Sequence, residues 1–115
     1  MTDKDQYLLE HILSHCEVIA RLVERFGQDY ELFTSDEAYY RSVTLSVFQI
    51  GELAGKLSEE FRLSTQSQIP WPQVRRMRNV IAHDYQEVDD ATLWETVLTD
   101  IPILCDFCKT SLHAG

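Results

Sequence analysis

A chain of 115 residues has the length of one domain, enough to bury most of its unfolded apolar surface in a single core. Its formal net charge of −9 argues against nucleic-acid binding by the surface as a whole, and its three cysteines are too few for a disulfide framework, so a reducing cytoplasm is the expected compartment. The opening Thr2-Asp3-Lys4-Asp5 is not that of a secretory leader, and no apolar run approaches the roughly 20 residues of a membrane span, so no membrane association is expected.

Amphipathic helices follow in order. Leu8, Ile12, His15, Ile19, Leu22, Val23 and Phe26 recur at helical spacing and predict a first helix over Asp3–Phe26, with Thr2 and Asp5 as a capping pair and Gly27 as its stop. Residues 28–35 read as a connection. Thr34 with Glu37 reads as the capping box of a second helix that continues to about Arg62, with Tyr40, Val43, Val47, Ile50, Ala54, Leu57 and Phe61 along its inner face. Leu45, Phe48 and Glu52 fall on a different face, which a second copy of the chain would cover. Gly51 and Gly55, one turn apart, lower helix propensity and predict the close approach of another helix.

Pro70-Trp71-Pro72 launches a short third helix reaching Ala82 or His83, with Pro72 in its first turn. Asp89 or Asp90 caps a fourth, whose stripe is Trp94, Leu98, Ile101, Cys105, Cys108 and Leu112 and which Pro102 should kink. There is no strand-like alternation. The expected architecture is all-α, a four-helix bundle forming one domain over residues 1–115.

The chemistry is concentrated in residues 75–85, Arg-Arg-Met-Arg-Asn-Val-Ile-Ala-His-Asp-Tyr. Arg75, Arg76 and Arg78 place three of the ten basic residues within four positions, a confined cationic patch on an acidic body. On a continuous helix Asn79 and His83 share a face, whereas Arg78 and His83 stand about 140° apart. Arg with His and no carboxylate cluster suits phosphodiester chemistry on RNA. The imidazole exchanges a proton near neutral pH and the guanidinium holds the non-bridging oxygens. The same spacing is also common in solvated surface pairs, and the residues by themselves leave that reading open.

Residues 69–71 and 78–85, with Arg78, Asn79, His83 and Tyr85 in an Arg-x4-His-x-Tyr arrangement, resemble the HepT-like branch of the HEPN superfamily. The resemblance extends to Gln49-Ile50-Gly51-Glu52 upstream, and downstream to Val88-Asp89 and residues 94–102, with no departure at the Arg, Asn, His or Tyr positions. It implies a helical bundle that dimerises so that two motifs meet in a cleft. It also implies a metal-independent endoribonuclease toxin, using no cofactor, paired with a small nucleotidyltransferase antitoxin of the MNT type. On this resemblance Arg78, His83 and Asn79 are the catalytic candidates and Tyr85 is the position at which the partner attaches adenylate, while Arg75 and Arg76, from the cationic cluster beside the motif, are expected to bind the RNA substrate. The alternatives are a HEPN module that binds nucleotide or partner without cutting, and a plain helical interaction domain.

Other constellations have plainer readings. His11 and His15 with Cys105 and Cys108 would form a zinc set if the first and last helices were antiparallel neighbours. Three of the four, however, fall in apolar stripes, where cysteine serves as a small hydrophobe. Glu52 is either an acid pairing with an arginine across a dimer or a solvated glutamate. Trp71 and Trp94 read as core anchors.

Overall fold

The structure is a computed structural model describing residues 1–82 and 89–113. It begins with α1 (Asp3–Phe26), in which the Thr2 hydroxyl accepts from the Asp5 N–H at 3.0 Å and Gly27, at φ 93°, ends the helix by donating to the Val23 carbonyl. A positive φ of this kind suits glycine, which has no Cβ to clash. Leu8, Leu9, Ile12, Cys16 and Ile19 form its buried stripe. Asp5 does not complete a capping box. Its carboxylate is buried and crosses to Ser58, accepting from the N–H at 2.8 Å and from the hydroxyl at 2.6 Å.

That contact divides the second predicted helix, which is two helices in the structure. The expected connection at 28–35 holds α2 (Tyr30–Ser35), capped by Asp29. The Thr34 hydroxyl donates to the Tyr30 and Glu31 carbonyls within α2 and is not a cap, so Asp36 caps α3 (Glu37–Lys56) instead, accepting from the Tyr39 N–H at 2.9 Å. The helix stops well short of Arg62. Buried Leu57 turns to extended backbone, and Ser58, held by Asp5, opens α4 (Glu59–Thr65) by accepting from the Phe61 N–H. Ser58 therefore receives a new N-terminus and a tertiary anchor at one residue, which local propensity in this helix-favouring stretch does not reveal.

Trp71 is fully packed and donates its indole N–H to the Thr65 hydroxyl at 2.8 Å, fixing the start of α5 (Trp71–Arg76) with Pro72 in the first turn. The third predicted helix is also interrupted. Met77 and Arg78 form a turn tightened by i→i+3 bonds, and α6 (Asn79–Ala82) follows. Asp89 then caps α7 (Asp90–Glu95), which runs through a π-helical segment at Thr96–Asp100 into α8 (Ile101–His113). The Ile101 N–H donates back to the Thr96 carbonyl. Pro102 has no N–H for the Leu98 carbonyl and its ring crowds the preceding turn, so the widened turn lies where the sequence places the disturbance.

The described residues are all-helical, with no strand, and form a HEPN-like bundle. Helix α1 packs along α3 and α8, while α5 and α6 lie on the flank of α3. Phe33 stacks on Trp94 at 4.7 Å between ring centroids and meets Tyr39 edge-on, which joins α2, α3 and α7. Phe61, Trp71 and Phe107 make a second aromatic group that seats α5. Both tryptophans are core anchors, as their sequence positions suggest. Among the described residues no helix is long and apolar enough to cross a membrane.

Candidate active site

The flank of α3 that faces α5 makes the site. Residues 45, 48, 52, 55 and 56 lie within about 100° of one another on this helix. Leu45 is exposed and Phe48 half-buried, and beyond them the surface descends into an open cleft of about 630 Å³. Gly51 and Gly55 form its floor. A Cβ built on Gly51 would collide with the Arg78 backbone nitrogen, and would lie 3.0 Å from the Met77 carbonyl carbon and 3.1 Å from the Arg78 Cα. All three are backbone atoms, which cannot swing away, so the turn carrying Arg78 rests directly on a bare stretch of α3. The close approach predicted from the two glycines is real at Gly51, and the intruder is this turn. At Gly55 the nearest atom to an added Cβ is Arg75 Nε at 3.8 Å, an ordinary contact.

From this seat the motif projects its cations. Arg75 and Arg76 come from the last turn of α5, Arg78 from the turn and Asn79 from the first position of α6, and all four line the cleft. The Arg76 Nε donates to the Pro72 carbonyl at 3.1 Å, steadying that side chain on its own helix. Arg78 and Glu52 form an ion pair at 3.9 Å with side chains 60% and 36% exposed. At that length and exposure the pair contributes at most about 1 kcal/mol, so it aims the guanidinium without committing it. Of the two readings of Glu52, the structure shows pairing with an arginine, but within one chain. The other predicted site residues, His83 and Tyr85, lie outside the described residues.

The structure adds Lys56, which sequence reasoning passed over. It stands one turn after Glu52 and lines the same cleft. Its signal was present in the Gly51/Gly55 pair, because a helix face cleared for a neighbour puts its remaining polar side chains into the resulting recess. Lys56, Arg75, Arg76 and Arg78 face a single carboxylate, Glu52, so the cleft is strongly cationic on a chain of net charge −9. Such a concave, one-signed lining concentrates phosphate-bearing ligands.

The cysteines belong to the core. Burial pushes the Cys16 and Cys108 thiols up, Cys108 to about 12 with a further contribution from Cys105, so both stay protonated. His11 is exposed and tilts against Tyr7, and burial followed by His11 lowers the His15 pKa. Among the described residues no three His, Cys, Asp or Glu side chains converge to hold a metal ion.

A helical bundle with a cationic Arg–Asn turn pressed onto α3 is consistent with the HEPN-like class that the sequence resembles. Within that class, residues 12–111 match the family described as Ribonuclease HepT-like, and the chain belongs to it. It is 38% identical over 96 residues to a protein named as an RNase from Caldanaerobacter subterraneus subsp. tengcongensis, covering 84% of this chain and 83% of that one. A Thermococcus cleftensis protein named for ribonuclease HepT is 34% identical, with 72% and 76% covered. A Methanocaldococcus jannaschii protein named as an RNase is 32% identical, with 82% and 78% covered. No solved structure gives a significant match.

Proposed function

We propose that this chain is a metal-independent endoribonuclease, the toxin of a HepT/MNT-like toxin–antitoxin pair, acting in the cytoplasm as a homodimer of single HEPN-like domains. The observation that carries the reading is the convergence of Arg75, Arg76, Arg78 and Asn79 with Lys56 in one open cleft, in a chain of the HepT-like ribonuclease family. The ribose 2′-oxygen attacks the adjacent phosphorus, forming the O2′–P bond as the P–O5′ bond breaks. His83 serves as acid or base, with one copy of the motif taking the 2′-hydroxyl proton and the other protonating the leaving oxygen. Arg78 holds the non-bridging oxygens as charge builds on them, Asn79 orients the site, and Arg75 and Arg76 steer the strand. Glu52 keeps Arg78 over the cleft until a phosphate displaces it.

Exposed Leu45 with Phe48, running into the cleft along α3, is the face on which a second copy would bring its motif opposite the first. Tyr85 is the control point. Adenylate attached there by a partner nucleotidyltransferase would set a phosphodiester charge beside the arginines and fill the cleft.

The test is incubation of single-stranded RNA with purified protein and excess chelator. Fragments ending in 2′,3′-cyclic phosphate with 5′-hydroxyl partners are expected, whereas intact RNA bound to the protein would favour a non-catalytic binding module. A Tyr85→Phe chain co-expressed with an MNT-type nucleotidyltransferase that neutralises the wild-type chain should stay toxic and gain no adenylate mass. Neutralisation with labelling would remove Tyr85 from its role.

A further inference from the structure

Past the motif cleft, Pro72 and Arg75 form a wall shared with a second recess of about 350 Å³ between α4 and α5. Arg62 lies in it, half-buried. Its Nε is shielded from solvent and has no hydrogen-bond partner among the described residues. An unsatisfied buried donor of this kind costs stability, and Arg62 makes no ion pair among the described residues, so its charge is left to an anion in the recess it lines. Arg75 is likewise without an ion pair among the described residues and faces both recesses. Exposed Leu63 and buried Trp71 give the recess an apolar wall, and Glu59 is the acidic residue among the described ones that line it.

Two adjoining hollows that share Arg75, one with Lys56, Arg76 and Arg78 and the other with Arg62, offer spaced cations to a strand rather than to one isolated phosphate. We propose that the Arg62 recess is a subsite for a second phosphodiester of the RNA strand, held between Arg62 and Arg75 while its ribose or base rests on Leu63. This rests on the ribonuclease reading of the neighbouring cleft and adds to it a direction. The strand leaves the motif over Pro72 towards α4, so substrates must extend beyond the scissile step to bind fully.

The experiment compares a dinucleotide with an octanucleotide as substrates for the wild-type chain, Arg62→Gln and Arg62→Lys. It also titrates an uncleavable 2′-O-methyl octanucleotide at several salt concentrations. For Arg62→Gln the octanucleotide KM should rise about fivefold more than that of the dinucleotide. The log–log salt slope for the uncleavable strand should fall by about 0.7, the loss of one phosphate contact on a single strand, with Arg62→Lys restoring most of it. Equal losses on both lengths, or no change in salt slope, would overturn the subsite. So would inorganic phosphate competing at low millimolar concentration in wild type but not in Arg62→Gln without any length effect, since the recess would then hold a free anion. If wild type cuts neither substrate, the ribonuclease reading fails, while the salt slope on the uncleavable strand still decides the subsite. Thermal melts identify a variant that has lost its fold, and Arg62→Lys then carries the comparison.

Discussion

Arg78 shows how much of a residue's role is set by what lies beneath it. Its guanidinium is mostly solvent-accessible, but its backbone nitrogen sits where a side chain at position 51 would have to be. The backbone is fixed while the head group moves, which is what binding a phosphate that changes shape on the way to a transition state requires. Arg78→Ala should lower RNA cleavage by about 10²–10³-fold with an unchanged helical circular-dichroism spectrum, the range for removing one preorganised donor. His83→Ala should lower it by about 10²–10⁴-fold, the usual share of a proton-transfer group. Near-wild-type toxicity of either variant at matched expression would refute the assigned roles.

Asp5 is the other residue whose position decides more than its type. Burial alone would raise its pKa, but hydrogen bonds from Ser58 and Thr2 and the nearby amino terminus outweigh this and hold the carboxyl below its ordinary 3.8. A folded pKa below the unfolded one means that the stabilisation is complete above 3.8 and fades as the pH falls through the folded value. Asp5→Asn should therefore cost about 2 kcal/mol at pH 7, and the gap in melting temperature from wild type should close below pH 4. A gap that stays constant as the pH falls below 3.8 would show that the aspartate acts through packing rather than charge.

Among the elements, helices whose stripes bury themselves were legible from periodicity. α1 ends at the predicted residues, and Val43, Val47, Ile50 and Ala54 form the inner face of α3 as predicted, although Tyr39 rather than Tyr40 is its fully buried tyrosine. Two breaks were not legible, because each is decided by a partner far along the chain. Ser58 becomes a cap because Asp5 reaches it, and the Met77–Arg78 turn lies against a glycine of another helix. The expected Asn79–His83 register assumed one unbroken helix, and the turn before Asn79 now sets where α6 begins. For the site, the arginines and Asn79 were readable from their clustering, whereas Lys56 needed the cleft to exist before its position meant anything.

The two glycines give a paired test at this scale. Gly51→Ala must push the Met77–Arg78 turn off α3 and should cost about 1–3 kcal/mol, together with most of the cleavage activity. Gly55→Ala, on an exposed part of the same helix, should leave stability unchanged or raise it by up to about 1 kcal/mol. Equal melting temperatures for the two variants would mean that the turn does not rest on Gly51.

For the whole molecule, the division of charge between an acidic body and a cationic cleft has a consequence for assembly. If two copies meet with motifs opposed, two like-charged linings are brought together, and the dimer carries an internal repulsion that salt relieves. A polyanion entering between them acts as a shared counterion for both halves. By linkage, any ligand bound more tightly by the pair than by separate chains must in turn strengthen the pair. Sedimentation at low ionic strength should show the dimer dissociation constant falling about tenfold when an uncleavable RNA octanucleotide is added, with a smaller change at high salt, where the repulsion is already screened. A dissociation constant indifferent to RNA would place the two cationic linings apart. Coupled in this way, substrate supply would govern enzyme assembly: a chain made in small amounts stays mostly single, and its own target gathers it into the active form.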